Sequence, residues 1–137
     1  MSMKSDALAF FDACETGKGW EVCQQWCQPD AVFTAQADAL ADVTTVEGYT
    51  EWMAHLLQPL PSMNYEMLAC GVDEDAGTFV GAAVFKATHS DEGGPVPPTG
   101  KTIASDYCYV FRFEDGKIAH MTKIWNDGYA MREAGWA

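Results

Sequence analysis

Two long segments of alternating character meet at Asp115-Gly116, and this junction constrains the fold more than any other feature. Ile103 to Glu114 and Lys117 to Trp125 both read as strands of period two. A type I′ turn wants positive φ at both central residues, which Asp-Gly supplies. With that turn, Glu114 pairs with Lys117 and the register of both strands follows. Phe111 then lies opposite His120, Tyr109 opposite Thr122, Tyr107 opposite Ile124 and Ser105 opposite Asn126. These residues share an apolar face with Ile103, Phe113 and Ile118. The opposite face carries Asp106, Cys108, Val110, Arg112, Met121, Lys123 and Trp125, with Asp127 if the strand runs that far. There Asp106 and Lys123 are diagonal neighbours, expected to form a partly exposed ion pair.

Upstream, Met63 to Val72 and Thr78 to Thr88 also alternate, so the second half predicts a four-stranded antiparallel run. The first half has helical spacing instead. Ser5 is the expected cap of a helix with Leu8, Phe11 and Cys14 on its apolar side, closed by Gly17. A second short helix carries Trp20, Cys23 and Cys27 and stops before Pro29, followed by a short strand from Asp30 to Ala35. Thr44 and Glu47 have capping-box spacing, and the helix they open aligns Val46, Tyr49, Met53, Leu56 and Leu57 up to Pro59. Gly128 to Ala134 predicts a last helical turn. The twelve residues from His89 to Gly100 are a long connection for neighbouring strands. Such a loop covers a site mouth or clasps a partner subunit. Helices first and strands after give an α+β fold.

The 137 residues are expected to form a single domain, 1–137. Twenty acidic residues against 8 basic ones leave a formal charge of -12. That surface repels phosphate backbones and anionic lipid, so neither nucleic acid nor a membrane is an expected partner. No apolar run nears the roughly 18 residues of a membrane span. Five cysteines without a secretory pattern predict reduced thiols and a cytoplasmic location. His55, His89 and His120 lack chelate spacing, and Cys23 with Cys27 has no second pair, so no metal or other cofactor is expected.

Two readings of the Tyr-Phe-Ile face stay open. It either packs fully on the helices, with His120 a satisfied core histidine, or it lines a pocket with a few convergent polar groups. In the second case Tyr107, Tyr109, Thr122 and Asn126 line the pocket from the sheet, with Tyr49, Trp52 and Trp20 as walls from the helices. A carboxylate there is pushed towards neutrality and can take a proton next to a carbonyl. Asp127 is the candidate base, and His120, Tyr107 or Asn126 the donor to the enolate oxygen.

The order of elements, with several short motifs, resembles the nuclear transport factor two-like superfamily, and within it the SnoaL-like polyketide cyclases. Phe10-Phe11-Asp12, Asp30-Ala31-Val32-Phe33, Pro97-Pro98-Thr99-Gly100-Lys101, Phe113 to Ile118, Trp125-Asn126-Asp127 and Gly135-Trp136 carry the likeness over nearly the whole chain. It implies a cone-shaped, cystatin-like roll: N-terminal helices packed on a curved antiparallel sheet around an internal pocket. It also implies a homodimer and cofactor-free cyclase or isomerase chemistry on an apolar or aromatic carbonyl compound. The alternative is a non-catalytic ligand-binding or dimerisation domain of the same fold. The family's aspartate near the end of the last strand falls, counted without gaps, on Asn126. Asp127 is next, and only a bulge would turn it into the pocket.

Overall fold

The computed structural model describes residues 2–137. The first helix, α1 (Met3–Glu15), begins one turn earlier than its spacing predicts, because Ser2 and Ser5 cap each other reciprocally. Ser2 is therefore the cap, and Ser5 its partner. After the turn at Gly17 comes α2 (Trp20–Cys23), a single turn continued by a 3-10 turn from Gln24 to Trp26. Strand β1 (Cys27–Ala35) starts before Pro29, so Cys27 belongs to the sheet rather than to the preceding helix. An edge strand tolerates that proline. Thr45, not Thr44, caps α3 (Val46–Leu56), accepting from the Gly48 N–H.

Strands β2 (Asn64–Asp73), β3 (Thr78–Thr88), β4 (Thr102–Glu114) and β5 (Lys117–Trp125) form the expected antiparallel meander. β1 joins its far edge parallel to β5, giving the order β1-β5-β4-β3-β2. The sheet is thus mixed, curved and unclosed, and the architecture is the α+β cone. Its inner face meets α1 and α3 through an aromatic core. Phe10 sits edge-on to Phe111 at 5.2 Å, Phe11 lies 4.9 Å from Tyr109, and Phe33 stacks on Tyr49 at 4.4 Å. No helix among the described residues is long and apolar enough to cross a membrane.

The last hairpin corrects the register expected from its turn. Glu114 pairs with Lys117 and Phe113 with Ile118, but Arg112 then pairs with His120. Ala119 is the extra residue of a β-bulge, and beyond it the faces of β5 are exchanged. Tyr107 lies opposite Trp125 instead of Ile124, and Tyr109 opposite Lys123 instead of Thr122. Met121 and Lys123 point into the fold, while Ile124 is 52% exposed on the outer face. β4 keeps the face expected of it, with Ile103, Ser105, Tyr107, Tyr109 and Phe111 all buried.

The loop from His89 to Gly100 is held by this chain itself. The buried His89 accepts from the Trp136 indole N–H at 2.9 Å, and Thr99 donates to the Ala134 carbonyl at 2.7 Å. The last helix, α4 (Asp127–Ala134), is a full two turns and ends at Gly135 in the left-handed region.

Candidate active site

Glu15 is the last residue of α1 and lies four residues after Phe11, on the helix face turned to the sheet. It is 1% exposed. Both carboxylate oxygens are engaged: Tyr109 donates to Oε1 at 2.5 Å and Tyr107 to Oε2 at 2.6 Å. The two tyrosines are alternate residues of β4 and so project from the same face.

Lys123 faces them across the β4–β5 pair, because the bulge at Ala119 turned it inward. It is 5% exposed, and its Nζ donates to the Tyr49 hydroxyl at 2.9 Å. Tyr49 in turn hydrogen-bonds Tyr109. Lys123 and Glu15 are not paired directly. They are the two ends of one chain, Lys123–Tyr49–Tyr109–Glu15, with Tyr107 as a branch. With Glu15 ionised, every donor in it points from the lysine towards the carboxylate.

Burial sets the electrostatics. It pushes the Glu15 carboxyl above the usual carboxylate range, although the Lys123 charge and the tyrosine hydrogen bonds oppose it. It pulls the Lys123 ammonium down to about 8, with Glu15 pulling the other way. Burial, and after it the Glu15 charge, holds Tyr49, Tyr107 and Tyr109 above the ordinary phenol range. All three therefore remain donors at neutral pH. A proton can reside on the lysine with Glu15 ionised, or on Glu15 with the lysine neutral, and the net charge of the chain is the same. That is the behaviour of an acid–base centre whose two ends have been brought towards each other.

A cavity opens on these groups. It is lined by Glu15, Tyr107 and Lys123 together with Trp52, Met53, Leu56, Phe85 and Trp125. Five aromatic rings surround the Lys123 nitrogen, with Trp125 nearest at 4.0 Å and Tyr49, Tyr107, Trp52 and Tyr109 at 5.1–5.8 Å. Only about 20 Å³ is open to the centre of a water-sized sphere, roughly one water's room. Trp52 and Trp125 meet edge-to-face at 6.3 Å beside it.

Of the residues picked from sequence, Tyr107 and Trp52 line this cavity, while Tyr49 and Tyr109 belong to the chain behind it. Trp20 packs against the core without lining the cavity. The bulge carries His120 and Thr122 to the outer face, where both sit beside Thr34 of β1. Asn126 caps α4 by accepting from the Tyr129 N–H. Asp127 is the first residue of that helix. Its carboxylate accepts from the backbone N–H of Ala39 at 2.8 Å and of Gly128 at 3.0 Å. It is absent from the cavity lining, and the predicted Asp106–Lys123 ion pair does not form, since Lys123 is inside.

Glu15 and Lys123 are the residues that sequence reasoning missed, and each had a signal. Glu15 continues the stripe of Phe11 by one helical turn. Ile118 and Met121 are three apart, so a regular strand cannot bury both, and an inserted residue between them reverses everything after it. No group of three or more His, Cys, Asp and Glu side chains among the described residues is arranged to hold a metal ion.

The fold has well-matched structural relatives. IdmH from Streptomyces antibioticus, a candidate polyketide cyclase, superposes with a TM-score of 0.81 at 20% identity, over 98% of this chain and 99% of its own. AclR from Streptomyces galilaeus, a candidate hydroxylase, gives 0.78 at 20% identity, over 98% and 82% of the two chains. A protein of ketosteroid isomerase-like fold from Catenulispora acidiphila, crystallised with trimethylamine, gives 0.71 at 14% identity, over 95% and 92%. At such identities the likeness is one of fold. No curated protein matches the sequence at a significant level. The SnoaL-like domain family, however, matches residues 7–121, which takes in α1 from Ala7 onward, β1, α3, β2 to β4 and the first half of β5 with its bulge, and ends two residues before Lys123. The chain therefore belongs to the SnoaL-like domain family.

Proposed function

We propose that the protein is a cofactor-free acid–base catalyst of the cyclase type, acting on a carbonyl compound held against Trp52, Phe85 and Trp125. One observation carries this reading: a buried carboxylate, Glu15, shares a cavity with a tyrosine hydroxyl and a buried lysine. Glu15 takes the proton from the carbon beside the carbonyl. As Glu15 Oε2 takes up that proton, the Tyr107 hydroxyl leaves it and donates to the developing enolate oxygen, and the Lys123 end offsets the charge through Tyr49 and Tyr109. Apolar walls keep water from quenching the enolate before it attacks a second carbonyl of the same molecule. A polyketone of two or more rings needs Trp52 and Trp125 to swing apart, given the little space between them.

The test is ring closure of a panel of aromatic polyketones, followed by absorbance. Wild-type protein is expected to accelerate closure of at least one, and Tyr107→Phe to slow it about 100- to 1,000-fold, as loss of a single oxyanion donor does. Binding of the panel without any acceleration would overturn catalysis and leave the ligand-binding alternative.

We infer that two copies associate through the outer face of the sheet. Val32, Val80, Ile124 and Leu68 are 43–55% exposed there, on four different strands. Exposed apolar area of this kind marks an interaction surface. Ile124→Lys is expected to shift sedimentation from dimer to monomer without loss of helix and strand content. A wild-type protein sedimenting as a monomer would contradict this.

A further inference from the structure

We propose that Lys123 is a covalent catalytic residue, whose Nζ adds to the carbonyl carbon of a ketone or aldehyde in the cavity and forms an iminium there. The proposal rests on the reading of the cavity as a carbonyl site, and adds a mode of activation to it.

The placement of the nitrogen carries the proposal. A lysine kept for structure is expected to lie against a carboxylate or to carry its head to water. Lys123 does neither. Among the described residues its Nζ has one hydrogen-bond partner, the Tyr49 hydroxyl, although an ammonium has three donors. It lines the cavity beside Glu15 and Tyr107, so a carbonyl bound there meets the amine and an acid–base pair together. The surrounding rings suit the product as well. An iminium is a cation, and five aromatic faces within 5.8 Å favour a cation that has lost its water. Burial also leaves a large share of the amine neutral near pH 8, the form that has a lone pair to offer.

The step balances without any outside reagent. The neutral amine forms the carbon–nitrogen bond while the carbonyl oxygen takes a proton, giving a carbinolamine. That intermediate loses its hydroxyl as water, with one proton drawn in total from protonated Glu15. Amine, carboxylic acid and ketone thus become iminium, carboxylate and water. The Glu15 carboxylate then removes a proton from the adjacent carbon, leaving a neutral enamine. Its carbon attacks the second carbonyl, whose oxygen takes the proton from Glu15; water then adds to the iminium, releasing the cyclised ketone and the free lysine and returning one proton to Glu15.

The experiment is reductive trapping of the whole wild-type protein with acetone and sodium cyanoborohydride, read by peptide mapping. The chain has six lysines, so Lys4, Lys18, Lys86, Lys101 and Lys117 serve as internal references. At pH 8 the neutral fraction of Lys123 exceeds that of an ordinary lysine by roughly a hundredfold. Allowing for restricted access, an isopropyl group is expected on Lys123 about tenfold faster than on any reference lysine. The trapping rate should level off as the pH passes about 8. Labelling confined to the reference lysines would overturn the proposal. If turnover of the polyketone panel still fell in Tyr107→Phe, the acid–base reading would survive that result. Lys123 labelling with turnover indifferent to Tyr107→Phe would support the covalent step and remove the enolate role of the tyrosine.

Discussion

Glu15→Gln is expected to lower turnover of a cyclisable polyketone by roughly 10²- to 10⁴-fold, the range for loss of a positioned general base. Glutamine keeps the shape of the side chain and its carbonyl oxygen still accepts from one of Tyr107 and Tyr109. The fold should therefore persist, and removing a buried charge offsets the weakened hydrogen bonds. What disappears is the group that can hold a proton. The Lys123 end should respond too, because Glu15 is the largest influence holding its ammonium up against burial. In the variant the lysine becomes still more acidic, so residual activity should shift to lower pH. Turnover within a fewfold of wild type would show that the carboxylate is structural, a satisfied polar group under two tyrosines.

The second large effect is on stability against pH. Moving the lysine from its ordinary value of about 10.4 down to about 8 corresponds to a penalty on the order of 3 kcal/mol. The unfolded chain binds more protons than the folded one between those values, so stability rises with pH there. The penalty is complete below about 8 and has gone above the unfolded value. Lys123→Met has no such dependence. The stability of wild type relative to Lys123→Met should therefore increase by on the order of 3 kcal/mol between pH 7 and pH 10.5. Glu15 changes the magnitude but not the sign. Without the lysine its carboxyl is raised further, and an acid raised in the folded state loses stability as pH climbs. The double variant Glu15→Gln with Lys123→Met should lose most of the difference and be at least as stable as wild type at pH 7, as replaced buried ion pairs often are. Urea denaturation of wild type, Lys123→Met and the double variant across this range checks both statements. Parallel curves for wild type and Lys123→Met would mean that Lys123 is hydrated in the folded state.

Much of the cone was legible from local patterns, and the centre was lost at one residue. Asp115-Gly116 fixes its turn, and the alternation from Ile103 to Phe111 buries the face it predicts. Helix α3 follows its stripe from Val46 to Met53, with the cap displaced by one threonine. These features are local, so residue spacing reports them. The parallel pairing of β1 with β5 is not local, and nothing within Cys27 to Ala35 encodes its partner. Ala119 matters most. A regular β5 would present His120 and Thr122 to the pocket, which is a plausible hydrogen-bonding site, so the pattern contained no visible error. One inserted residue replaces that pair by Met121 and Lys123 and makes a different chemistry. Asp127 illustrates the same limit. A carboxylate after the last strand suits a base by position, yet α4 begins there and the side chain ties down the Ala39 and Gly128 amides. Glu15 lay in plain view on the Phe11 stripe, but a glutamate at the end of a helix ordinarily faces water.

The proposed chemistry needs Glu15 and Lys123 to form one buried proton-exchanging unit, with the carboxyl raised and the ammonium lowered by burial. Its most direct measurement is an NMR titration of the Glu15 carboxyl carbon and the Lys123 Cε methylene in the ligand-free protein. The predicted result is a Glu15 carboxyl titrating above the usual carboxylate range and a Lys123 ammonium titrating at about 8. Each resonance should also register the other group's transition, because the two are coupled through Tyr49 and Tyr109. A Glu15 carboxyl at its ordinary value of about 4.3, with Lys123 near 10.4 and no mutual response, would contradict the account.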